Sequence, residues 1–243
     1  MKTRLMKSLL AVGALSLLGG CDTEQAAVTC RAASANIPFA VKYTPVGTPA
    51  AGCDVSPGEL MQLSTYAPPT GERPSIAIGP GNALTFDADG NVTSTGNKFA
   101  VGAFATDAAD ANNTCSVPQL TTVSQTDATT GTTTYTFSNV QTYVSAANQG
   151  TQLKGDVTIA NGACSVSYKM LGIWPAVDCT LVDAKGKPVK DAQGHLQPDD
   201  TVCQATDTGI NPDVVKAGGV TCSPTLLTCV IKGDDFVKTG GDQ

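Results

Sequence analysis

The chain has 243 residues, of which 15 % are charged and 41 % are hydrophobic, and its formal net charge is −6. Scattered acidic charge excludes a general nucleic-acid binder, because phosphate neutralisation needs clustered Lys and Arg. Low charge, abundant Thr, Ser, Gly and Asn, and no long helical period favour an all-β secreted protein over a disordered one.

The N-terminus joins a basic segment to an apolar one. Three basic residues within the first seven precede an uncharged stretch at 8–18, too short for the roughly 20 residues of a membrane-spanning helix. It ends in Leu18-Gly19-Gly20-Cys21, which resembles the lipobox of bacterial lipoproteins. The resemblance implies that residues 1–20 are a signal peptide and that the lipid bilayer is a partner through an acylated Cys21. An ordinary secretory signal with a chance cysteine is the alternative.

Residues 21–29 are expected to form a lipidated tether. The eight residues 22–29 span at most about 28 Å when extended, so the folded part must lie close to the bilayer. Asp22 resembles the inner-membrane retention signal of enteric bacteria, but sorting rules differ between bacterial groups, and the outer membrane is favoured over the inner one. The expected location is the bacterial cell envelope, outside the cytoplasm.

With Cys21 set aside, eight cysteines are left: Cys30, Cys53, Cys115, Cys164, Cys179, Cys203, Cys222 and Cys229. An even number in an exported chain predicts four disulfides. Zinc is the competing use, but no C-x₂-C pair exists and the sequence has one histidine, His195, so no metal site is expected. Eight cysteines allow about 105 connectivities. We expect neighbours to pair, as 30–53, 115–164, 179–203 and 222–229, the last closed by turn residues at 223–225.

Residues 30–175 are predicted to form an antiparallel β-sandwich or a barrel-like domain. Short alternating or β-branched segments separated by Gly and Pro are typical of its strands. The predicted strands are 39–44, 59–66, 75–78, 83–86, 98–106, 119–125 and 132–140, and polar loops are predicted at 68–74 and 107–114.

A hairpin over 157–168 is the most specific local prediction. Asn161-Gly162 is typical of a two-residue turn whose central positions both have positive φ. This turn would pair Ile159 with Cys164 and Val157 with Val166. Those four residues and Tyr168 would share the inner face, so the Cys164 disulfide is expected in the core.

Residues 176–243 are predicted to form a small disulfide-rich extension packed on the β-domain. Four of the eight cysteines fall within it, with few apolar residues between them. The pattern Asp-Ala-x-Gly begins at Asp183 and at Asp191, and it also occurs at Asp87. It predicts turns, because Asp can bind the backbone with its side chain and Gly can adopt positive φ.

Two acidic groups are candidate cation ligands. The segment Asp87-Ala88-Asp89-Gly90-Asn91 resembles the start of a calcium loop, but Val92 and Lys98 stand where an EF-hand needs Gly and Glu. The second group comprises Asp183, Asp191, Asp199 and Asp200. Turns and solvated loop charges are the favoured interpretation of both.

No catalytic residue or cofactor can be assigned. A serine triad lacks a G-x-S-x-G elbow to accompany His195, and nucleotide-binding loops are absent from the sequence. Trp174 and the tyrosines could stack on sugars, but single aromatics in β-proteins usually lie in the core. A pair of aspartates for glycoside hydrolysis stays open.

Two functions follow from these observations. The favoured one is a membrane-anchored extracytoplasmic lipoprotein without catalytic activity, which binds an unknown envelope protein or polymer or has a structural role. The alternative is a hydrolase of envelope polymer that uses aspartate carboxylates. A cleft with two convergent carboxylates, one of them with a raised pKa, would favour the enzyme.

Overall fold

The computed structural model describes residues 28–33, 36–69 and 72–239. Cys21, the signal peptide and most of the tether lie outside the described residues, as does part of the loop at 68–74. The described strands are β1 (Phe39–Pro45), β2 (Gly58–Tyr66), β3 (Ser75–Pro80), β4 (Thr95–Asn97), β5 (Ala100–Ala103), β6 (Thr114–Val117), β7 (Val123–Asp127), β8 (Gly131–Val144), β9 (Gln149–Asn161), β10 (Cys164–Ile173), β11 (Val220–Cys222) and β12 (Cys229–Ile231).

Strands β1–β10 form one antiparallel, nearly closed barrel, which confirms the predicted all-β, barrel-like class. The strand order is β4-β7-β8-β9-β10-β1-β2-β3-β5, and β6 pairs with β8. The terminal strands β4 and β5 are separated only by Lys98 and Phe99. One bent stretch of chain therefore pairs with β7 and then with β3. Thr121 strengthens this closure, because its N–H donates to the Val101 carbonyl at 3.0 Å.

The barrel interior is filled by alternate residues of the strands. On β2, Met61 and Leu63 are buried while Leu60 and Gln62 are exposed, as a period of two requires. The interior also takes Phe39, Val41, Ile76, Ile78, Phe104, Tyr135, Phe137, Val157, Val166, Tyr168 and Met170. Burying each large apolar side chain contributes about 1.5–3 kcal/mol.

The β9–β10 hairpin forms as predicted, but the register that was predicted between its two strands is wrong by two residues. Val166 pairs with Ile159 and Cys164 pairs with Asn161, so the two-residue loop is Gly162-Ala163. The φ of Gly162 is 57°, whereas Asn161 stays in the strand. A shift of two residues leaves every side chain on its predicted face. Cys164 does face inward, but at the end of the strand, where it is half-buried.

Two predicted strands and one predicted loop need correction. Residues 83–86 are not a strand, because a 3-10 turn occupies Gly81–Ala83 and only an isolated bridge joins Phe86 to Val92. The strand predicted at 98–106 is too long, because only β5 at Ala100–Ala103 forms within that range. The polar loop predicted at 107–114 ends in β6, which begins at Thr114. Strands of three or four residues carry too little alternation to be located from sequence.

The C-terminal residues pack on the outer face of the barrel. They contain two short helices, α1 (Asp200–Gln204) and α2 (Pro212–Lys216), and the β11–β12 hairpin. A second hydrophobic cluster joins them to Tyr143, Leu171 and Ile173, which point out of the barrel. The second half of β10 is therefore buried on both faces. The division between domain and extension at residue 175 stays a prediction.

The structure pairs the cysteines differently from the prediction of neighbouring pairs. The four disulfides are Cys30–Cys115, Cys53–Cys164, Cys179–Cys222 and Cys203–Cys229. The predicted pairs 30–53, 115–164, 179–203 and 222–229 are wrong. Cys222 and Cys229 do lie opposite each other on β11 and β12. Each is bonded instead to a residue outside the hairpin, because α1 and the segment at 179 pack against it.

The three Asp-Ala-x-Gly segments form matching turns, as predicted. In the turn at Asp191, the Gly194 N–H donates to the Asp191 carbonyl at 3.1 Å. The Asp191 carboxylate accepts from the N–H groups of Gln193 and His195 at 2.9 and 2.8 Å. The turns at Asp87 and Asp183 repeat this pattern. The glycine φ values are 81°, 75° and 87°.

Candidate functional site

A groove of about 600 Å³ lies on the outer face of the barrel. Its floor comes from β1, β8, β9 and β10, and Asp234 of the C-terminal residues forms one wall. The lining residues are Lys42, Thr44, Asn139, Gln141, Lys154, Gly155, Asp156, Lys169, Met170, Leu171 and Asp234. The barrel and the C-terminal residues thus build it together.

An irregularity in β8 shapes the floor of this groove. The β8–β9 register shifts between Ser138 and Gln141, and Asn139 has a φ of 53°. Such bulges re-aim side chains and are frequent next to binding sites. Here the bulge directs Asn139, whose amide donates to Asp156 Oδ2 at 2.5 Å. Gly155 lies opposite, where a Cβ atom would stand 3.1 Å from the Val140 Cα atom.

Three lysines line the groove, and each is paired with an aspartate. Lys169 Nζ lies 2.5 Å from Asp156 Oδ1, and Lys154 Nζ lies 2.6 Å from Asp235 Oδ1. Lys42 Nζ donates to the Gly233 carbonyl at 2.5 Å and lies 3.7 Å from the carboxylate of Asp234. The contacts of Lys154 and Lys42 therefore fasten residues 233–235 to the barrel.

Two of the carboxyl groups paired with these lysines, those of Asp156 and Asp235, have lowered pKa values. Burial raises the pKa of Asp156, but hydrogen bonds from Lys169 and Asn139 outweigh it, so the pKa lies below its ordinary value. Lys154 likewise lowers the pKa of Asp235. A general acid needs a raised pKa, so neither group suits that role. The groove offers ammonium, carboxylate and amide groups, which suits the binding of a polar ligand.

A carboxyl group with a raised pKa does exist, but it lies inside the barrel. Glu59 is 4 % exposed. Its Oε1 accepts from the Tyr43 hydroxyl at 2.6 Å, and its Oε2 accepts from the Asn82 N–H at 2.8 Å. Burial raises its pKa, and these hydrogen bonds lower it only in part. Sequence analysis did not single out Glu59. Its position on the same strand face as Met61 and Leu63 was the available signal.

The candidate cation ligands do not come together at one site. Asp87, Asp183 and Asp191 each bind the backbone of their own turn. Asp199 caps α1 through the Thr201 N–H, and Asp200 accepts from the Cys222 N–H. Sulfur atoms of Cys179, Cys203 and Cys222 lie within 4.8 Å of one another, but all three belong to disulfides. Those sulfurs have no thiolate to offer a metal.

The other candidate residues are His195, Trp174 and the tyrosines. His195 is exposed, and its Nδ1 lies 3.2 Å from Asp191 Oδ2 within one turn. Trp174 is half-buried against the core and donates to the Ile37 carbonyl at 3.0 Å. Four of the five tyrosines, Tyr43, Tyr135, Tyr143 and Tyr168, are buried. They cannot form the sugar platform considered above.

Within residues 28–33, 36–69 and 72–239, none of the helices is long and apolar enough to cross a membrane.

Comparison with known proteins gives one family. The sequence model of the MlpA family matches residues 37–175, more than half of the chain. A curated relative from Myxococcus xanthus, named "Putative lipoprotein MlpA", is 28 % identical over 244 residues, which cover 93 % of this chain and 94 % of the relative. No solved structure matches the chain significantly.

Proposed function

Since the chain belongs to the MlpA family, we propose that it is a lipid-anchored protein of the bacterial envelope that binds a polar envelope component without chemical turnover. The anchor is Cys21, at the end of the lipobox-like segment. The name of the Myxococcus relative supports it, and so do four disulfides, which persist in exported proteins. The outer membrane is the proposed location.

The groove at the β8 bulge carries the binding part of this proposal. It is built by both regions of the chain, and its Asn139 holds a positive φ in a strand. A backbone outlier of this kind costs about 1–3 kcal/mol and persists where the surroundings impose it, frequently at binding sites. The groove combines the ammonium groups of its lysines with carboxylate and amide groups. That mixture fits an envelope polymer or the surface of an envelope protein.

The same geometry favours binding over hydrolysis. The raised-pKa carboxyl belongs to Glu59 in the barrel interior, whereas Asp156 in the groove has a lowered pKa. The two carboxylates therefore lie on opposite faces of the barrel wall. That separation supports binding, because glycoside hydrolysis needs the acid and the second carboxylate in the same cleft.

Blocking the groove tests the proposal. Thr44 is exposed and lies in the groove beside Lys169. Thr44→Trp should reduce binding at least tenfold, because the indole would fill the space above Lys169. Binding is measured by cosedimentation of the lipidated protein with purified cell-wall sacculi, and by cross-linking to envelope proteins in intact cells. Thr95→Trp, at an exposed position of β4, is the matched control. Equal binding by both variants, or no binding by the unaltered protein in either assay, would contradict the proposal.

A further inference from the structure

The outer face of β2, β3 and β5 carries no charge, and it differs from the Thr- and Ser-rich outer face of β7 and β8 because it exposes large apolar and aromatic side chains. Its outward positions are Leu60, Gln62, Ser64 and Tyr66 on β2, Ser75, Ala77 and Gly79 on β3, and Val101 and Ala103 on β5, with Phe99 just before β5. We call this surface the bare face. By contrast, the outer faces of β9 and β10 carry Lys154, Asp156 and Lys169.

The large side chains of the bare face are exposed although they are apolar or aromatic. Leu60, Tyr66, Phe99 and Val101 are 44 %, 58 %, 43 % and 43 % exposed. Phe99 lies directly over Gly79, where the ring comes within 2.6 Å of an ideal Cβ position. The small residues of this face therefore lie beneath the larger side chains, which stay exposed. Exposed apolar and aromatic side chains that are grouped on one face often mark an interaction site.

The C-terminal residues stop at the border of this face. They bury Leu171 and Ile173 on β10, and Leu226 reaches as far as Gly58 at the start of β2. Beyond Gly58, the large outward side chains of Leu60, Tyr66, Phe99 and Val101 keep between 43 % and 58 % of their surface exposed. The surface is thus free for an outside partner.

The lipid tether enters the fold beside the bare face. Ala32 is bound to Thr65 by two hydrogen bonds, of 2.8 and 3.2 Å, and Thr65 precedes the exposed Tyr66. Thr29 is held by a bridge to Ala108, and Cys30 by its disulfide to Cys115. The eight residues 22–29 span at most about 28 Å. An acylated Cys21 would therefore keep the Tyr66 end of this face within reach of the lipid headgroups.

We propose that the bare face lies against the bilayer in which Cys21 is anchored. This inference rests on the proposed lipid anchor. An uncharged surface loses little hydration at the interface, and aromatic side chains such as Tyr66 and Phe99 are favoured there. The floor of the groove comes from β8, β9, β10 and β1, and its middle, at β9 and β10, is separated from β3 by β1 and β2 in the strand order. With the bare face on the membrane, the groove opens away from it.

Tryptophan quenching by lipid tests the orientation. The lipidated protein is reconstituted into phosphatidylcholine vesicles with brominated or ordinary acyl chains. Phe99→Trp and Tyr66→Trp place the probe on the bare face, and Val182→Trp places it at a similarly exposed apolar position of the C-terminal residues. The unaltered protein gives the background of Trp174. We expect brominated lipid to reduce the added emission at least twofold at position 66 or 99, and to leave position 182 unchanged.

The other outcomes separate the two proposals. Protein that floats with vesicles but shows no quenching at 66 and 99, or equal quenching at 182, overturns the inference and leaves the anchor intact. A dimer that Phe99→Asp dissociates would then identify the bare face as a contact between two copies. Protein without lipid on Cys21 by mass spectrometry, which does not float, contradicts the anchor, and the inference is then wrong as well.

Discussion

At the scale of single residues, Glu59 is the least expected feature of this protein. A carboxyl group among apolar side chains costs free energy when it is charged, and the barrel reduces that cost with hydrogen bonds from Tyr43 and Asn82. Tyr43 in turn stacks on Tyr168 at 5.0 Å between ring centroids. The acid thus fastens the turn after β3 to the interior of the barrel.

Glu59 should make stability depend on pH. Its pKa is raised above the ordinary value of 4.5, so the folded state binds its proton more tightly than the unfolded state. Its contribution is therefore fully present below pH 4.5 and is lost as the pH rises through the folded pKa. The free energy of unfolding of Glu59→Gln, relative to the unaltered protein, should rise by on the order of 1 kcal/mol between pH 4 and pH 7.

Urea unfolding at a series of pH values measures this difference. Aspartates with lowered pKa values, such as Asp127 at about 2, lose their contribution as the pH falls from 3.8. They are present in both proteins, so their effect cancels in the comparison. Glu72→Gln, which changes an exposed glutamate, is the matched control. Parallel curves for Glu59→Gln and the unaltered protein would refute the role assigned to Glu59.

At the scale of elements, the Asp-Ala-x-Gly turns show how a short local pattern fixes a structure. The Asp carboxylate accepts hydrogen bonds from two backbone N–H groups, and Gly takes positive φ. All of these contacts lie within five residues of the chain. Asp110 makes the same two hydrogen bonds, with the N–H groups of Asn112 and Thr114. Asn113 takes the positive φ there, at 59°. Local chemistry is thus sufficient for this element.

Gly194→Ala should loosen its turn. The φ of Gly194 is 87° and no atom lies near an added Cβ, so the cost is conformational alone, about 1–2 kcal/mol. Hydrogen exchange at the His195 amide, which donates to Asp191, should become about tenfold faster. Gly233→Ala is the control, because that site is equally open and φ is not positive there. Equal exchange rates at His195 in Gly194→Ala and the unaltered protein would contradict this account.

At the scale of the whole molecule, two disulfides staple the barrel and two hold the C-terminal residues. The barrel pairs are 85 and 111 residues apart, and the C-terminal pairs are 43 and 26 apart. In the chain-entropy model each closure stabilises by about 4–5 kcal/mol for the longer loops and about 3.5–4 kcal/mol for the shorter ones. The two regions are thus stapled separately and joined by the packing of Tyr143, Leu171 and Ile173.

Removing Cys179–Cys222 should therefore affect one region. In the Cys179→Ala/Cys222→Ala variant, we expect proteases to cleave within 176–239 at least tenfold faster while residues 37–175 stay resistant. Limited proteolysis followed by mass spectrometry gives both rates. The Cys53→Ala/Cys164→Ala variant should show the opposite preference. Simultaneous cleavage of both regions would show that they unfold together, and would contradict the predicted division at residue 175.

The proposed lipidation of Cys21 concerns the whole molecule, since it would decide where the protein lies. Cys21→Ser removes the acceptor thiol, so we expect at least a tenfold loss from the detergent phase in a phase-partition assay. Several acyl chains anchor stably because each buried CH₂ contributes about 0.8 kcal/mol. Thr23→Ser should partition as the unaltered protein does. If the Cys21→Ser protein partitioned like Thr23→Ser, the lipobox interpretation would be wrong.

The sequence by itself determined what depends on near neighbours. Alternation predicted β1, β2 and β3 and the faces of the β9–β10 hairpin, and the Asp and Gly pattern predicted the turns. The composition and the cysteine count predicted an all-β, disulfide-bonded class. These features follow from side-chain periods and local hydrogen bonds, which act over a few residues.

Only the tertiary structure decided which distant residues meet. The disulfides join residues up to 111 positions apart, so spacing could not select them among the possible connectivities. The groove needs the β8 bulge and residues 233–235 together, and neither has a sequence signal for the other. Barrel closure placed Glu59 inside and left Phe99 outside. Residues far apart in the chain become neighbours only when the sheet closes, and that depends on the packing of the whole core.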